Sequence, residues 1–271
     1  MKPLKMYCIS LNPSHLELIK KIDYVPVGLG GNQFNAEWLT DKSNENISIK
    51  NKFYGEYTFH YWIWKNNLNK LPENWIGFCQ YRKFWCESNL DANSISFDQF
   101  NKSILKKIPT SYDNYESIIG EPFYVNQFRF SKFIKHNFKT MISEPSLFFN
   151  KNKRSIKFHF DMMHGKNNLN KAIDLLDIED KNDFKEFVNK EVSFNPHNMF
   201  MCKSKKTLEK YYNSIFPWLL RCEEIFGFEK LKGFGLQRIY GFLAERYLSY
   251  WFKKNTNYKT MPIIFKDISD F

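Results

Sequence analysis

Residues 46–85 have the sequence NISIKNKFYGEYTFHYWIWKNNLNKLPENWIGFCQYRKFW, and this stretch decides the fold. At its start, Asn46 or Ser48 can cap a helix by accepting a hydrogen bond from a free backbone N–H. Aromatic residues then recur at helical spacing on more than one face, which predicts a helix that is largely buried. After a loop over residues 66–74, the apolar run Trp75–Cys79 predicts a short buried strand.

Polar and cationic residues follow that strand at once, as Gln80, Tyr81, Arg82 and Lys83. In open α/β sheets, ligands bind beyond the carboxyl ends of the strands, so we expect a ligand site at this edge. Arg82 can bind a diphosphate with two parallel hydrogen bonds, or it can pair with a structural carboxylate. The sequence leaves both interpretations open.

The rest of the chain alternates predicted strands and helices, which is typical of an α/β protein. We predict strands at Met6–Ser10, Tyr24–Leu29, Ser117–Val125 (broken by Gly120 and Pro122) and Phe194–Cys202, which starts with a polar turn; helices at His15–Ile22, Phe97–Lys107, Phe158–Leu176 (with a weak break at Gly165), Asp177–Glu191, Lys205–Phe226 and Leu236–Lys253; a loop at 34–43; and loop and helix at 126–150. The C-terminal part is therefore mainly helical.

Composition predicts a folded chain with an anion-attracting surface. Of the 271 residues, 18% are aromatic, and the formal net charge is +11. An anionic membrane, a nucleic acid and a diphosphate-bearing small molecule all fit that sign. The basic clusters at 151–154 and 203–206 are short and interrupted, which favours solvated loops over a nucleic-acid surface.

The cysteines and the N-terminal sequence indicate the cellular compartment in which we expect the protein. Five scattered cysteines without a CxxC pair predict reduced thiols, cytosolic residence and no zinc site. The N-terminus lacks a secretion-signal pattern, and no run approaches the roughly 20 apolar residues that a membrane-spanning helix needs. We expect a cytoplasmic protein, with peripheral contact at the inner face of the plasma membrane as a further option.

Motifs for metals and nucleophiles are missing from the sequence: there is no HExxH, Walker loop or GxSxG. No DxD follows Trp75–Cys79, where enzymes that use nucleotide sugars often hold a divalent cation against the diphosphate. A need for Mn²⁺ or Mg²⁺ thus stays open, and no metal ligand is assigned. His159, Asp161 and His164 could gather a metal, but hydrogen-bonded scaffolding is the favoured interpretation.

Several sequence blocks occur in the order of a known family pattern. They are N-I-S-x-K-N at 46–51, Y-x-E-x-T at 54–58, Y-W-x-W-K-N at 61–66, I-G-x-x-H-Y-R-R at 76–83, N-M-F-I/M at 198–201, a Y-C-x-W-L-F-like helix at 211–219 and R-x-x-G-F-x-A-E-R at 238–246. They resemble a bacterial family from capsule and exopolysaccharide loci, described as a domain of unknown function and regarded as glycosyltransferase-like. This sequence departs from the pattern at Gln80, where the family commonly has His, and at Lys83, where it has a second Arg.

The resemblance implies a GT-A-like α/β fold, with a mostly parallel central sheet flanked by helices. It implies a single domain over 1–271, with a donor-binding half at about 1–125 and an acceptor-side half at about 126–271. The implied reaction is transfer of a hexosyl group, for example galactosyl, from a nucleoside diphosphate sugar. UDP is the expected nucleotide, and the acceptor would be a growing capsule, exopolysaccharide or lipopolysaccharide.

The resemblance and the strand-edge argument together assign site residues. The expected donor contacts are Ser10, Gly28, Gly30, Lys50, Asn51, Gln80, Tyr81, Arg82 and Arg238. Asn198 and His164 are expected on the acceptor side, and Glu245 and His164 are candidates for deprotonating the acceptor hydroxyl. A structural pair of Glu245 with Arg246 is the alternative, and Glu56 is expected to pair with a buried Lys or Arg.

Two other functions stay open at this point. One is a non-catalytic module that binds anionic glycans or nucleic acid through a basic, aromatic surface. The other is transfer of a phosphate-containing group to a polysaccharide. The favoured enzyme would bind a nucleotide-sugar donor and a carbohydrate or lipid-linked acceptor, and nucleic acid is not among its expected partners.

Overall fold

A central mixed sheet organises the protein, for which a computed structural model describes residues 1–88, 91–92, 94–127 and 153–271. From residue 128 on, the predicted loop and helix at 126–150 lies outside the described residues. The strands are β1 (Lys2–Ser10), β2 (Val25–Gly28), β3 (Leu39–Thr40), β4 (Trp75–Gln80), β5 (Lys83–Trp85), β6 (Lys107–Ile108), β7 (Ser117–Gly120), β8 (Phe123–Tyr124), β9 (Ser193–Phe194), β10 (Phe200–Cys202), β11 (Tyr258–Met261) and β12 (Ile263–Phe265).

The strand order in the main sheet is β11-β7-β10-β4-β1-β2-β3. Within this order, β10 runs antiparallel to both of its neighbours, and the other neighbours pair in parallel. β5 and β12 form an antiparallel pair that is attached to β4. The predicted α/β fold with a mostly parallel central sheet is confirmed.

Helices cover both faces of this sheet. They are α1 (Leu16–Lys21), α2 (Asn51–Tyr54), α3 (Tyr57–Trp62), α4 (Phe97–Ser103), α5 (Ile156–His164), α6 (Asn168–Asp174), α7 (Ile178–Lys190), α8 (Lys205–Phe226), α9 (Phe234–Gln237) and α10 (Ile239–Asn255). Side chains alternate between the faces of a strand, so Tyr7 and Ile9 of β1 pack in the core beneath α3, α8 and α10. Met6 and Cys8 pack on the other face, with α1 and α4. In the described part of the chain, no helix combines the length and the apolar character needed to cross a membrane.

The central stretch forms a buried helix, as predicted, but this helix is interrupted. Asn46 Oδ1 accepts a hydrogen bond from the Ser48 backbone N at 3.1 Å, where a 3₁₀ turn leads into α2. The chain then breaks at Gly55, which has a φ of 59°, before α3 starts. A π-helical turn at Ile63–Asn67 follows α3 directly.

Other boundaries agree with local signals in the sequence. Gly120 ends β7, as predicted for the interrupted strand Ser117–Val125, and Gly165 ends α5 with a φ of 94°. The prediction of a plain loop at 34–43 was wrong, because the two-residue strand β3 lies there. A strand this short has no periodic pattern that a sequence could show. All five cysteines are free and buried.

Candidate functional site

A cavity of about 300 Å³ lies at the carboxyl ends of β1, β2 and β4. It is lined by Ile9, Leu11, Leu29, Asn51, Lys52, Gly55, Glu56, Gln80, Tyr81, Arg82 and Arg238. This is the sheet edge at which the sequence predicted a ligand site. The strand ends, the broken helix and the start of α10 all contribute to the cavity.

Glu56 stands at the centre of the polar contacts in this cavity. Its Oε1 accepts hydrogen bonds from Asn198 Nδ2 at 2.9 Å and from Gln80 Nε2 at 3.4 Å. Its Oε2 pairs with Arg238 Nη2 at 3.3 Å, and the Glu56 side chain is only 11% exposed. Glu56 therefore pairs with an arginine, as expected, but this partner is 41% exposed rather than buried, and the same carboxylate also faces the cavity.

The helix break at Gly55 makes room for Arg238. The Gly55 backbone has φ 59° and ψ −135°, a conformation that side chains strongly disfavour. A Cβ atom on Gly55 would stand 2.3 Å from Arg238 Nη2, which is far inside contact distance. Glycine thus lets the Arg238 guanidinium lie directly against the backbone, where it reaches Glu56 and remains 41% exposed.

Gln80 connects the end of β4 to its surroundings through every polar atom of its side chain. Its Nε2 donates to the His197 backbone oxygen at 3.0 Å as well as to Glu56, and its Oε1 accepts from Lys83 Nζ at 3.2 Å. Burial lowers the pKa of Lys83, and the nearby carboxylates of Glu56 and Glu245 oppose this shift. An amide can donate and accept here at once, which is also what an imidazole does.

The turn before β10 is strained. His197 and Asn198 have φ values of 80° and 54°, and such non-glycine residues persist only when their surroundings hold them. Asn198 Nδ2 donates to the Gly241 backbone oxygen at 3.1 Å in addition to Glu56, and the His197 backbone N donates to Glu245 Oε1 at 2.6 Å. Strained backbone of this kind clusters at functional sites.

Glu245 lies behind that turn rather than on the cavity. Its other oxygen pairs with Arg246, and the exposed fractions of the two side chains are 13% and 2%. Arg246 also stacks its guanidinium 4.0 Å from the centre of the Phe194 ring. Burial raises the pKa of Glu245, and the charge of Arg246 opposes that rise. The structural pair expected as the alternative is therefore present.

His164 is packed in the protein interior and does not line the cavity. Its Nδ1 lies 2.9 Å from the Gly235 backbone oxygen and must donate, because a carbonyl oxygen only accepts. Its ring stacks on Phe242 with centroids 4.0 Å apart. Burial, helped by the charge of Arg246, lowers the His164 pKa to about 2, so the ring is neutral at physiological pH.

Arg82 is the most open of the predicted donor contacts. Its side chain is exposed, and its guanidinium lies 4.9 Å from the centre of the Tyr81 ring. No carboxylate in the described part of the chain pairs with it. Backbone hydrogen bonds from Lys266 to Arg82 at 3.2 Å and from Ile268 to Tyr81 at 3.0 Å fix the turn. The structural carboxylate pair considered from the sequence is therefore absent among the described residues, and diphosphate binding by Arg82 stays a prediction.

Three of the predicted donor contacts are engaged elsewhere. Lys50 Nζ pairs with Glu223 Oε1 at 2.6 Å. Ser10 is fully buried, and its hydroxyl lies 2.9 Å from His15 Nδ1. A Cβ atom on Gly28 would stand 2.4 Å from the Phe34 ring, so that ring covers Gly28. In contrast, Asn51, Gln80, Tyr81, Arg82 and Arg238 all line the cavity, with Gly30 beside Asn51.

The described residues do not offer a cluster for a metal ion. Across residues 1–88, 91–92, 94–127 and 153–271, no group of three or more His, Cys, Asp or Glu side chains could hold one. Asp161 pairs with Lys157 at 2.6 Å, and His159 Nδ1 lies 3.3 Å from Arg246 Nη2. The grouping of His159, Asp161 and His164 considered from the sequence does not form.

Sequence reasoning missed part of the site. Glu56, Lys52, Leu11 and the strained turn at His197 were not assigned to a ligand. A local signal did exist for Glu56, because Gly55 interrupts an otherwise aromatic helix immediately before a carboxylate. The strain at His197 has no such signal, since it depends on contacts with α10.

Comparisons with known proteins identify the family and the fold. Residues 5–256 match the model of a family described as "Domain of unknown function (DUF4422)". Among curated proteins there is no match. Among solved structures, the chain is similar to the apo structure of WbbM, a bifunctional glycosyltransferase, with a TM-score of 0.66 and 18% sequence identity. The likeness covers 97% of this chain and 45% of that chain, and it shows a GT-A-like fold.

Proposed function

Because the chain belongs to the family described as a domain of unknown function (DUF4422), and because its fold is GT-A-like, we propose that it is a glycosyltransferase. It transfers a hexosyl group, such as galactosyl, from a nucleoside diphosphate sugar to a growing bacterial surface polysaccharide. UDP is the proposed nucleotide. We further propose one domain over 1–271, with the donor side at about 1–125 and the acceptor side at about 126–271.

The observation that carries this proposal is the pair of guanidinium groups at the cavity. Arg82 is exposed and has no carboxylate partner among the described residues, and Arg238 is 41% exposed although it touches Glu56. Each guanidinium has five N–H donors, so Arg238 can bind an anion and keep its contact with Glu56. Two such groups beyond strand ends suit a leaving diphosphate, whose developing charge they would stabilise.

Glu56 is the carboxylate best placed for contact with the sugars. It lines the cavity, whereas Glu245 accepts from the His197 backbone and pairs with Arg246. We therefore propose that Glu56 accepts a hydrogen bond or a proton from a sugar hydroxyl, and that Glu245 positions the strained turn at His197 and Asn198. Asn198 stays proposed for the acceptor side, because its amide oxygen has no partner among the described residues, whereas His164 is buried away from the cavity and is not proposed to contact the acceptor.

The chain's own cations supply the positive charge in this proposal. The described residues do not fit a divalent cation, so no step is derived through Mn²⁺ or Mg²⁺. The net charge of +11 would favour the surface of an anionic membrane, where lipid-linked acceptors reside. The proposed location is therefore the cytoplasm, with peripheral contact at the inner face of the plasma membrane.

A donor screen tests the proposal. The full chain is incubated with UDP- and GDP-sugars, with and without Mn²⁺ or Mg²⁺, and thermal shifts and transfer to glycan acceptors are measured. Arg82→Ala should weaken nucleotide binding roughly tenfold, because a hydrogen bond to a charged group contributes about 1.5–3 kcal/mol. The matched control is Arg221→Ala, since Arg221 pairs with Asp177 and does not line the cavity.

Two results would overturn the proposal. One is that no nucleotide sugar is bound or turned over while Arg82→Ala behaves like the unchanged protein. The other is binding to oligonucleotides that falls steeply with salt, without any binding of nucleotide sugars, which would favour the non-catalytic module. The mass of the product separates hexosyl transfer from transfer of a phosphate-containing group.

A further inference from the structure

The side-chain amide of Asn51 is held in one orientation beside the cavity. Its Nδ2 donates to the Gly55 backbone oxygen at 3.0 Å and to Thr58 Oγ1 at 3.2 Å. A carbonyl oxygen only accepts, so the end of the amide that faces Gly55 is the NH₂ group. Thr58 is fully buried, which excludes water from this contact. Asn51 Oδ1 is thus the atom that remains for a ligand.

That oxygen stands just beyond the end of β2. A Cβ atom on Gly30 would lie 3.6 Å from Asn51 Oδ1 and 3.4 Å from Leu11 Cδ2. No donor among the described residues pairs with Asn51 Oδ1. Leu11 and Leu29 line the same cavity as Asn51, together with the charged side chains of Lys52 and Glu56. Asn51 Oδ1 is thus one oriented hydrogen-bond acceptor beside the Leu11 side chain.

The strand order separates this acceptor from Arg82, whereas Arg238 lies against Gly55, whose backbone oxygen accepts from the Asn51 amide. Arg82 follows β4, whereas Gly30 follows β2, and β1 lies between these two strands. Strand spacing puts the two ends about 10 Å apart. A nucleoside diphosphate whose phosphates lie at Arg82 would extend its base toward Asn51. Ser10 and Gly28 are covered, whereas Gly30 borders Asn51 Oδ1.

We propose that Asn51 Oδ1 recognises the base of the donor by accepting a hydrogen bond from the imide N–H of uracil. This inference rests on the proposed function, and it assigns the expected donor contact Asn51 to the base. Cytosine has an unprotonated ring nitrogen at the position of that N–H, so it would place an acceptor against Asn51 Oδ1. Rotating the amide to suit cytosine would set Oδ1 against the Gly55 oxygen, so the fixed orientation discriminates between the bases.

Nucleotide analogues test the inference on the unchanged protein. Calorimetric titration compares UDP, CDP, 3-methyl-UDP and 5-methyl-UDP. The 3-methyl group removes the imide N–H, whereas the 5-methyl group retains it. UDP and 5-methyl-UDP should bind at least tenfold more tightly than CDP and 3-methyl-UDP, because a lost hydrogen bond with an unpaired acceptor costs about 1–3 kcal/mol.

The variant Asn51→Ala supplies the second arm, with Asn101→Ala as its control. Asn101 lies on α4, away from the cavity. Asn51→Ala should reduce the ratio of UDP to CDP affinity to within about threefold, and Asn101→Ala should keep the original ratio. Equal binding of UDP and 3-methyl-UDP to the unchanged protein would overturn the inference but leave the proposed function intact. Failure to bind any uridine nucleotide would overturn both the inference and UDP as the proposed nucleotide, and the donor screen with GDP-sugars would then decide on the proposed function.

Discussion

The Glu56 carboxylate and the Arg238 guanidinium lie 3.3 Å apart, although 182 residues separate them in the chain. Glu56 follows the break in the central helix, and Arg238 stands where α10 begins. The pair therefore joins the two halves of the chain at the cavity. Because Gly55 has no side chain, the guanidinium can approach the backbone and present its free N–H groups to a ligand.

Gly55→Ala should damage both stability and donor binding. A residue other than glycine at φ 59° and ψ −135° costs about 1–3 kcal/mol, and the new Cβ would overlap Arg238 Nη2 at 2.3 Å. Since Arg238 must then move away, the affinity for UDP should fall roughly tenfold through loss of a charge-assisted contact. Urea unfolding measures the first effect, and calorimetric titration with UDP measures the second.

Gly227→Ala is the matched control for that prediction. Gly227 has φ 55° and ψ −151°, close to the Gly55 values, but a Cβ atom there meets nothing within 4 Å. It should therefore lose a similar free energy of unfolding and keep the original UDP affinity. If both variants bind UDP equally poorly, displacement of Arg238 is not the cause.

Glu56→Gln and Glu245→Gln should have opposite effects on activity and stability. Glu245→Gln leaves the Arg246 guanidinium, which is 2% exposed, without its carboxylate and should cost about 3–5 kcal/mol of stability. Glu56→Gln leaves the half-exposed Arg238, so it should cost less than about 1 kcal/mol. It should instead lower kcat at least roughly 100-fold with little change in the KM for the donor.

Steady-state kinetics and urea unfolding on the same two variants separate these roles. A Glu56→Gln variant with near-normal kcat would return the proton-accepting role to Glu245. A Glu245→Gln variant that is as stable as the unchanged protein would show that Arg246 has other sufficient partners.

Much of the fold could be predicted because its signals are local. The run Trp75–Cys79 is apolar, has strand length and ends at a polar residue, so both the strand and the ligand edge follow from the sequence. Gly120 and Gly165 likewise end their elements where the pattern indicates. The pairing of β5 with β12 could not be predicted, because it joins residues 83–85 to residues 263–265 and depends on tertiary packing.

The candidate site could also be predicted only where its signals are local. Arg82 could be placed because it follows a strand end, which is a property of the backbone. The direction of a side chain depends on distant partners: Lys50 is held by Glu223, and Gly28 is covered by Phe34. The spacing of residues within 46–85 does not indicate those contacts. The strain at His197 depends on Glu245 in the same way.

His60 should make the protein less stable as the pH falls below neutrality. It is fully buried beside Phe78 and Phe200, and burial lowers its pKa to about 3. In the unfolded chain its pKa is about 6.5, so the unfolded state binds the proton first as the pH falls. The contribution of neutral His60 to the free energy of unfolding is fully present above about pH 6.5. Between pH 7 and pH 5, the free energy of unfolding should fall by about 2 kcal/mol.

The variant His60→Gln tests this, because glutamine does not titrate. Its free energy of unfolding in urea should fall about 2 kcal/mol less than that of the unchanged protein from pH 7 to pH 5. Tyr212→Phe is the control, since the Tyr212 hydroxyl lies 2.7 Å from His60 Nδ1 and its removal breaks the same contact. That control should lose stability at pH 7 and keep the original pH dependence. Identical pH slopes in all three proteins would contradict the assignment to His60.

Asp41→Asn should stabilise the protein at neutral pH, and the gain should disappear in acid. Asp41 is fully buried, and neither carboxylate oxygen forms a hydrogen bond with the described residues. Burial raises the Asp41 pKa, although the nearby Thr58 hydroxyl opposes the shift in part. Below the unfolded pKa of about 3.9 both states are protonated, so the carboxyl costs nothing there. As the pH rises above the unfolded pKa, the unfolded chain releases its proton first, so the cost of the buried carboxyl grows until the pH passes the raised folded pKa; the amide avoids this cost. Urea unfolding at pH 7 should show a gain on the order of 1 kcal/mol in the free energy of unfolding, which shrinks toward pH 4.

Glu87→Gln is the control, because it changes the net charge equally at an exposed position. A similar gain in this variant would attribute the effect to overall charge.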